Sequence, residues 1–128
     1  MPSLRLEVSK TISFDAAHQL PGTPAGHKCA GLHGHTWRVR VWVTGELDQE
    51  RGWVADFHDL ESILRREAFD LLDHQILNDL IPNPTVENLA LWILNAIGEP
   101  LGSLDLVVTR VEIQEGDGCW CSLTVLAA

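Results

Sequence analysis

The sequence predicts an α+β fold: a four-stranded antiparallel sheet with two helices on one face. Three observations carry that prediction. Apolar residues alternate with period two near both ends of the chain, they recur at helical spacing through its middle, and the boundaries between these stretches hold Gly, Pro and capping residues. With 128 residues the chain suits one domain, and we treat residues 1–128 as one, since no repeat, linker or low-complexity tract divides it.

The elements follow in order. Leu4, Leu6, Val8 and Ile12 alternate with mostly polar neighbours and read as a first strand. A Gly/Pro-rich stretch from Leu20 to Gly34 leads to a second strand over about Thr36 to Thr44, with Trp37, Val39, Val41 and Val43 on one face. A loop that long inside a small domain is usually functional or disordered. Asp56 is placed to cap a first helix, whose apolar positions are Phe57, Leu60, Leu64, Ala68 and Leu71. After the Asn83-Pro84 break, Thr85 can cap a second helix, with Leu89, Ala90, Ile93, Leu94 and Ile97 as its apolar face and Gly98 as its stop. Strands over about Leu106 to Glu115 and Cys119 to Leu126 close the chain, joined by the hairpin residues Gly116-Asp117-Gly118.

Charge and segment length remove several function classes. Nine Lys and Arg against 18 Asp and Glu leave a net charge of −9, which argues against broad binding to nucleic acid or anionic membrane. No apolar run approaches a membrane span, and Met1-Pro2-Ser3-Leu4-Arg5 does not read as a signal peptide, so a cytoplasmic protein is expected. Three cysteines without a secretory segment read as thiols.

Chemistry concentrates in a few residues. His33 and His35 flank Gly34, and in a strand starting at His33 both imidazoles share the Trp37 face. Paired imidazoles on an apolar face call for a shared metal, and His18, just past the first strand, could be brought across as a third ligand. Three nitrogen ligands leave a fourth position open, as in catalytic zinc sites. Cys29, on the loop beside Lys28 and His27, could serve as base, nucleophile or fourth ligand. Cys119 and Cys121 read as small core or edge residues. Asp73-His74 reads either as a proton shuttle, with the carboxylate orienting the imidazole, or as a favourable helix terminus. His27 and His58 are taken as surface residues. Glu115 shares strand parity with Val107, Val111 and Ile113; it is either exposed at the strand end or a buried anchor for a ligand edge bearing N–H beside NH2.

Several segments together resemble a known family. They are Phe14-Asp15-Ala16-Ala17-His18, Cys29-x-x-x-His33-Gly34-His35, Gly52-x-Val54-x-Asp56-Phe57, Leu72-Asp73-His74-x-x-Leu77-Asn78, Asn83-Pro84-Thr85-x-Glu87-Asn88 and Glu115. In this order they are similar to the 6-pyruvoyl-tetrahydropterin and 6-carboxy-tetrahydropterin synthase family, over about residues 12 to 121. The resemblance implies a tunnelling fold, with ββααββ subunits forming a trimeric barrel and trimers commonly stacked into a hexamer. It implies Zn2+ on His18, His33 and His35, Cys29 as catalytic base relayed with His74 and Asp73, and Glu115 anchoring a pterin ring with help from Thr85. The implied substrate is 7,8-dihydroneopterin triphosphate. Three residues between Cys29 and His33 resemble the carboxy-forming branch of the queuosine and 7-deazaguanine pathway, and Thr36-Trp37 after His35 is unlike the Asn-Tyr common in the pyruvoyl-forming branch. That branch releases acetaldehyde and triphosphate. The pyruvoyl-forming lyase and a non-catalytic zinc or pterin-binding module are the alternatives. Lys10, Lys28, Arg38 and Arg40 are the candidate cations for the triphosphate.

Overall fold

The computed structural model describes residues 2–127. One antiparallel sheet has the order β1-β2-β3-β4, with β1 at Glu7–His18, β2 at His33–Thr44, β3 at Val107–Glu115 and β4 at Trp120–Thr124. Two helical stretches connect its halves and lie on one face, as the α+β reading requires.

β1 differs from its expected limits at both ends. It begins at Glu7, opposite Thr44, because β2 has no residue left to pair with the chain before it. Leu4 and Leu6 therefore lie exposed instead of continuing the inward row. At its other end β1 runs on to His18, so that histidine is the last residue of the strand and pairs directly with His33. The inward row is Ile12, Phe14, Ala16 and His18, all buried. Facing it in β2 are Trp37, Val39, Val41 and Val43, each without exposed surface. The Trp37 indole N–H donates to the Ala16 carbonyl at 3.1 Å, which satisfies its one polar atom.

Asp56 caps α1 (Phe57–Leu64) by accepting from the His58 N–H at 2.8 Å. A π-helical turn, Arg65–Phe69, and a closing α-turn, Asp70–Leu72, continue it. The Asp70 N–H bonds back to Arg65, an i→i+5 closure that adds a residue to the turn. Buried positions become Leu60, Leu64, Ala68 and Leu72, while Phe57 and Leu71, both expected inside, are exposed. Thr85 caps α2 (Val86–Gly102) by accepting from the Asn88 N–H at 3.1 Å. Such caps contribute about 1 kcal/mol. Gly98 does not stop this helix; one more turn forms and carries Leu101, fully buried, into the core.

A bulge opposite Trp42 and Val43 leaves Thr109 as the extra residue of β3. It inverts the strand's parity, so Val108 points inward and Val107 is 60% exposed, contrary to the uninterrupted alternation expected. Beyond the bulge Val111, Ile113 and Glu115 share the helix-covered face. The hairpin turns at Gly116 and Gly118, both at positive φ. β4 is shorter than expected and leaves Cys119 exposed, while Cys121 packs against the core. Burial, and secondarily the charge of Glu87, push the Cys121 thiol up from its ordinary value.

Candidate metal centre and active site

Three strands deliver one cluster at one end of the sheet. β1 ends on His18, β2 begins with His33 and carries His35 two residues on, and β3 ends on Glu115 opposite Trp37. The His18 ring lies 4.5 Å from that of His33 and 5.2 Å from that of His35, centroid to centroid. One ring nitrogen from each of the three falls within 4.8 Å of the others.

The ring orientations are set from outside the cluster. His18 Nδ1 lies 2.8 Å from the Pro84 carbonyl, and His33 Nδ1 lies 2.8 Å from the Gly31 carbonyl. A carbonyl oxygen can only accept, so each ring donates from Nδ1–H, and in the neutral ring Nε2 is the nitrogen that offers a lone pair. His18 Nε2 is buried without a hydrogen-bond donor, an expensive arrangement unless a cation occupies the space it faces. The nearest group is the Glu115 carboxylate, with Oε1 at 3.2 Å, which is another acceptor. Burial holds His35 below its ordinary value, against the pull of Glu115; the neighbouring His18 and His33 push the same way as burial. Three converging imidazoles, a buried ring nitrogen without a partner and a nearby carboxylate fit a divalent metal, and His18, His33 and His35 could hold one.

Cys29 lies in a single 3-10 turn, Lys28–Ala30. Its carbonyl accepts from the Leu20 N–H at 3.0 Å, tying this turn to the chain leaving His18. The His27 imidazole is exposed, as the surface reading expects, but it has a partner that reading missed: it accepts from the Cys29 N–H at 3.0 Å. It therefore caps the turn that carries the thiol.

Asp73 and His74 sit beyond the free edge of β1. Asp73 Oδ1 accepts from the Asp15 N–H at 3.0 Å, the His74 N–H donates to the Asp15 carbonyl at 2.6 Å, and Ala17 bridges to Ile76. The His74 Nδ1 and Asp73 Oδ2 are 2.8 Å apart. His74 has φ +60, a left-handed conformation that costs a non-glycine residue about 1 kcal/mol and is held here by its bond to β1. The hydrogen bond that the His74 ring donates to Asp73, then the Asp73 charge, raise the His74 imidazole above its ordinary value. Asp73 is held low, first by the Asp15 N–H and next by His74. The His74 side chain is 78% exposed, and among the described residues no hydrogen bond joins it to Cys29.

Thr85 uses its hydroxyl oxygen as the cap of α2 and precedes the helix directly after Pro84, whose carbonyl orients His18. Of the candidate cations, Arg38 and Arg40 lie on the sheet face away from the helices, and Arg40 stacks on Trp42. Lys10 pairs with Glu61, whereas Lys28 stands beside Cys29. Sequence reasoning gave Asn78 no role. Its amide grips Gln19 from both sides, accepting from the N–H at 3.0 Å and donating to the carbonyl at 2.9 Å. The grip holds the chain just after His18, and only the Leu77-Asn78 pairing within the motif hinted at it.

A cleft of about 950 Å³ lies at the opposite end of the sheet, among Glu46, Asp48, Arg51, Trp53 and Asp105. It contains no imidazole or thiol. Volume alone would mislocate the chemistry, which we place by the unpartnered donor instead. No helix is long and apolar enough to cross a membrane among the described residues.

Comparison with known proteins gives the arrangement a context. A 6-carboxy-5,6,7,8-tetrahydropterin synthase of Synechocystis is 40% identical over 98 residues, 72% of this chain and 74% of that one. A dihydroneopterin monophosphate aldolase of Pyrococcus furiosus is 38% identical over 105 residues, 82% of this chain and 85% of that one. The structure of a Caenorhabditis elegans 6-pyruvoyl tetrahydropterin synthase superposes with a TM-score of 0.78, at 22% identity, over 96% of this chain and 97% of that chain. The family pattern described as 6-pyruvoyl tetrahydropterin synthase spans residues 7–125, and the chain belongs to that family.

Proposed function

We propose that this protein is a zinc-dependent lyase that converts 7,8-dihydroneopterin triphosphate and one water to 6-carboxy-5,6,7,8-tetrahydropterin, acetaldehyde and triphosphate, on the route to queuosine and related 7-deazaguanines. The observation that carries a metal-dependent reaction is the buried, unpartnered Nε2 of His18 turned toward His33 and His35. The carboxy-forming product is supported by the three-residue spacing from Cys29 to His33 and by the similarity to the Synechocystis enzyme.

His18, His33 and His35 hold the metal, which when bound supplies a Lewis acid for the substrate's side-chain hydroxyls. Glu115 accepts the ring N–H and the 2-amino group as a pair, selecting the pterin over other phosphorylated compounds. Thr85, at the start of α2, assists ring binding. Cys29 removes a proton, on a turn positioned by His27, and Lys28 beside it draws the triphosphate. His74, oriented by Asp73, returns a proton to the product side. The exposure of His74 supports a site completed between subunits, and the edge of β4 together with the part of the β1 edge ahead of Asp15 supports a homo-oligomer, a trimer or hexamer.

The Pyrococcus relative favours a second reading, cleavage of dihydroneopterin monophosphate. One assay decides. Purified protein is offered the triphosphate and the monophosphate separately, and the pterin products and released aldehyde are identified. Carboxypterin with acetaldehyde from the triphosphate is expected. A pyruvoyl product, turnover of the monophosphate alone, or no turnover by metal-loaded protein would each overturn the proposal.

A further inference from the structure

The loop between β1 and β2 carries the Cys29 thiol, yet little holds it to the rest of the protein. None of the residues between His18 and His33 is buried, so no side chain of the loop is sunk in the core. Most of its hydrogen bonds are internal: the Thr23 N–H donates to Leu20, the His27 N–H to Pro24, and the Ala30 N–H to His27. Among the described residues only Gly31 and Gln19 bond outside the loop. The Gly31 carbonyl meets the His33 ring where β2 begins, and Gln19 meets Asn78.

The Asn78 contact continues a backbone ladder with a side chain. The segment from His74 to Asn78 follows the edge of β1 and bonds to alternate residues. The His74 N–H donates to the Asp15 carbonyl, and the Ala17 N–H donates to the Gln75 carbonyl. Gln19 is next in that series, but it lies past the end of β1, where the chain no longer pairs with β2. There the Asn78 carboxamide stands in for a peptide group, since it too has an acceptor and a donor side by side. It accepts from the Gln19 N–H at 3.0 Å and donates to the Gln19 carbonyl at 2.9 Å. Leu77, fully buried, fixes the 3-10 turn that presents this amide. One residue beyond Gln19, the Leu20 N–H donates to the Cys29 carbonyl at 3.0 Å. The path from the Asp73-His74 segment to the thiol turn therefore runs through one side chain.

We infer that Asn78 is a positioning residue: its amide anchors the turn bearing Cys29 to the same edge segment that carries Asp73 and His74, so that both proton-moving groups share one frame. The anchoring rests on the hydrogen bonds alone. Its consequence for turnover rests on the proposed lyase reading, in which Cys29 removes a proton and His74 returns one. Displacing a catalytic group by about 1 Å can cost about 10²-fold in rate, so a loop held by one amide makes that amide matter. Asn78 itself touches neither the thiol nor the imidazole cluster through a hydrogen bond; it acts through Gln19 and Leu20.

The test compares metal-loaded wild type with Asn78→Ala and Asn78→Asp. Ala removes both bonds to Gln19. Asp keeps the shape, so it serves if the Ala variant does not fold, and it sets an acceptor against the Gln19 carbonyl where a donor stood. Without substrate, amide hydrogen exchange is followed by NMR at Leu20 and, as an internal standard, at Ala17. Exchange at Leu20 should accelerate about tenfold in both variants, the worth of a typical hydrogen bond, while Ala17 keeps its wild-type rate. Wild-type exchange at Leu20 overturns the anchoring, and equal acceleration at both amides overturns it too, because that reports a general loss of stability. With substrate, kcat should fall about 10²-fold with KM little changed and metal content at the wild-type level. A wild-type kcat, an effect confined to KM, or loss of metal would each overturn the positioning role. Absence of turnover in the wild type defeats the lyase reading and with it the consequence for rate; exchange at Leu20 still decides the anchoring, so the two readings fail separately.

Discussion

Two histidine environments in this molecule are opposites. His18, His33 and His35 lie at the end of the covered sheet face, with His18 entirely buried and His35 held below its ordinary value by burial. His74 lies outside the sheet edge, exposed, in a left-handed backbone conformation, and held toward its charged form by Asp73. The cluster thus presents lone pairs and the dyad presents a proton. One side chain does both tasks because burial disfavours the imidazolium while a carboxylate at hydrogen-bond distance favours it.

The largest expected effect breaks the cluster side. His18→Ala should abolish stable metal binding, and His33→Ala and His35→Ala should lower it sharply, since a three-imidazole site cannot lose a ligand and stay selective. Elemental analysis of the purified variants reads this directly; full metal content in any of them removes that residue from the ligand set. Next, Cys29→Ala should keep its metal and lose about 10²–10⁴-fold in turnover, the range for a missing general base. Loss of metal from this variant would make Cys29 a ligand and the site a closed one.

Smaller effects sharpen the dyad side. Asp73→Asn retains an oxygen for the Asp15 N–H but removes the charge beside His74. Turnover should fall by about 10²-fold, the lower end for acid–base catalysis, with metal content unchanged. The same change should return the His74 titration, followed by NMR, toward its ordinary value of 6.5. A His74 titration unmoved by the substitution would remove Asp73 as the cause.

The smallest effect is on stability. His74 is raised in the folded state, so its contribution is present below 6.5 and is lost as pH rises through its folded value. Asp73 is lowered, so its contribution is present above 3.8 and is lost as pH falls through its folded value. The stability difference between wild type and Asp73→Asn should therefore be greatest between those two limits. Denaturant midpoints measured across pH would show it, and a flat difference would count against the pair.

Much of this was legible in one dimension because it depends on period and chemistry. Alternation placed Trp37, Val39, Val41 and Val43 inward, Asp56 and Thr85 announced both helix starts, and the His-Gly-His spacing put two imidazoles on one face. Two of the misreadings arose where one inserted residue changed the phase. The π turn exchanged Leu71 for Leu72 in the core, and the bulge at Thr109 turned Val107 outward. Neither insertion has a local signature, since each helix or strand stretch still follows its own period on either side.

What the sequence by itself determined is the inventory: four strands, two capped helices, two imidazoles of matching parity with a third within reach, a thiol on a polar loop and a carboxylate ending an inward row. Only the tertiary structure decided how these meet. It extended β1 to bring His18 opposite His33, used the Pro84 and Gly31 carbonyls to select the imidazole tautomers, and set Glu115 against His18. It also placed His74 outside the edge of β1. The reason is physical: parity fixes which face a side chain takes, but strand register and distant backbone acceptors fix which atoms approach and which protons they carry.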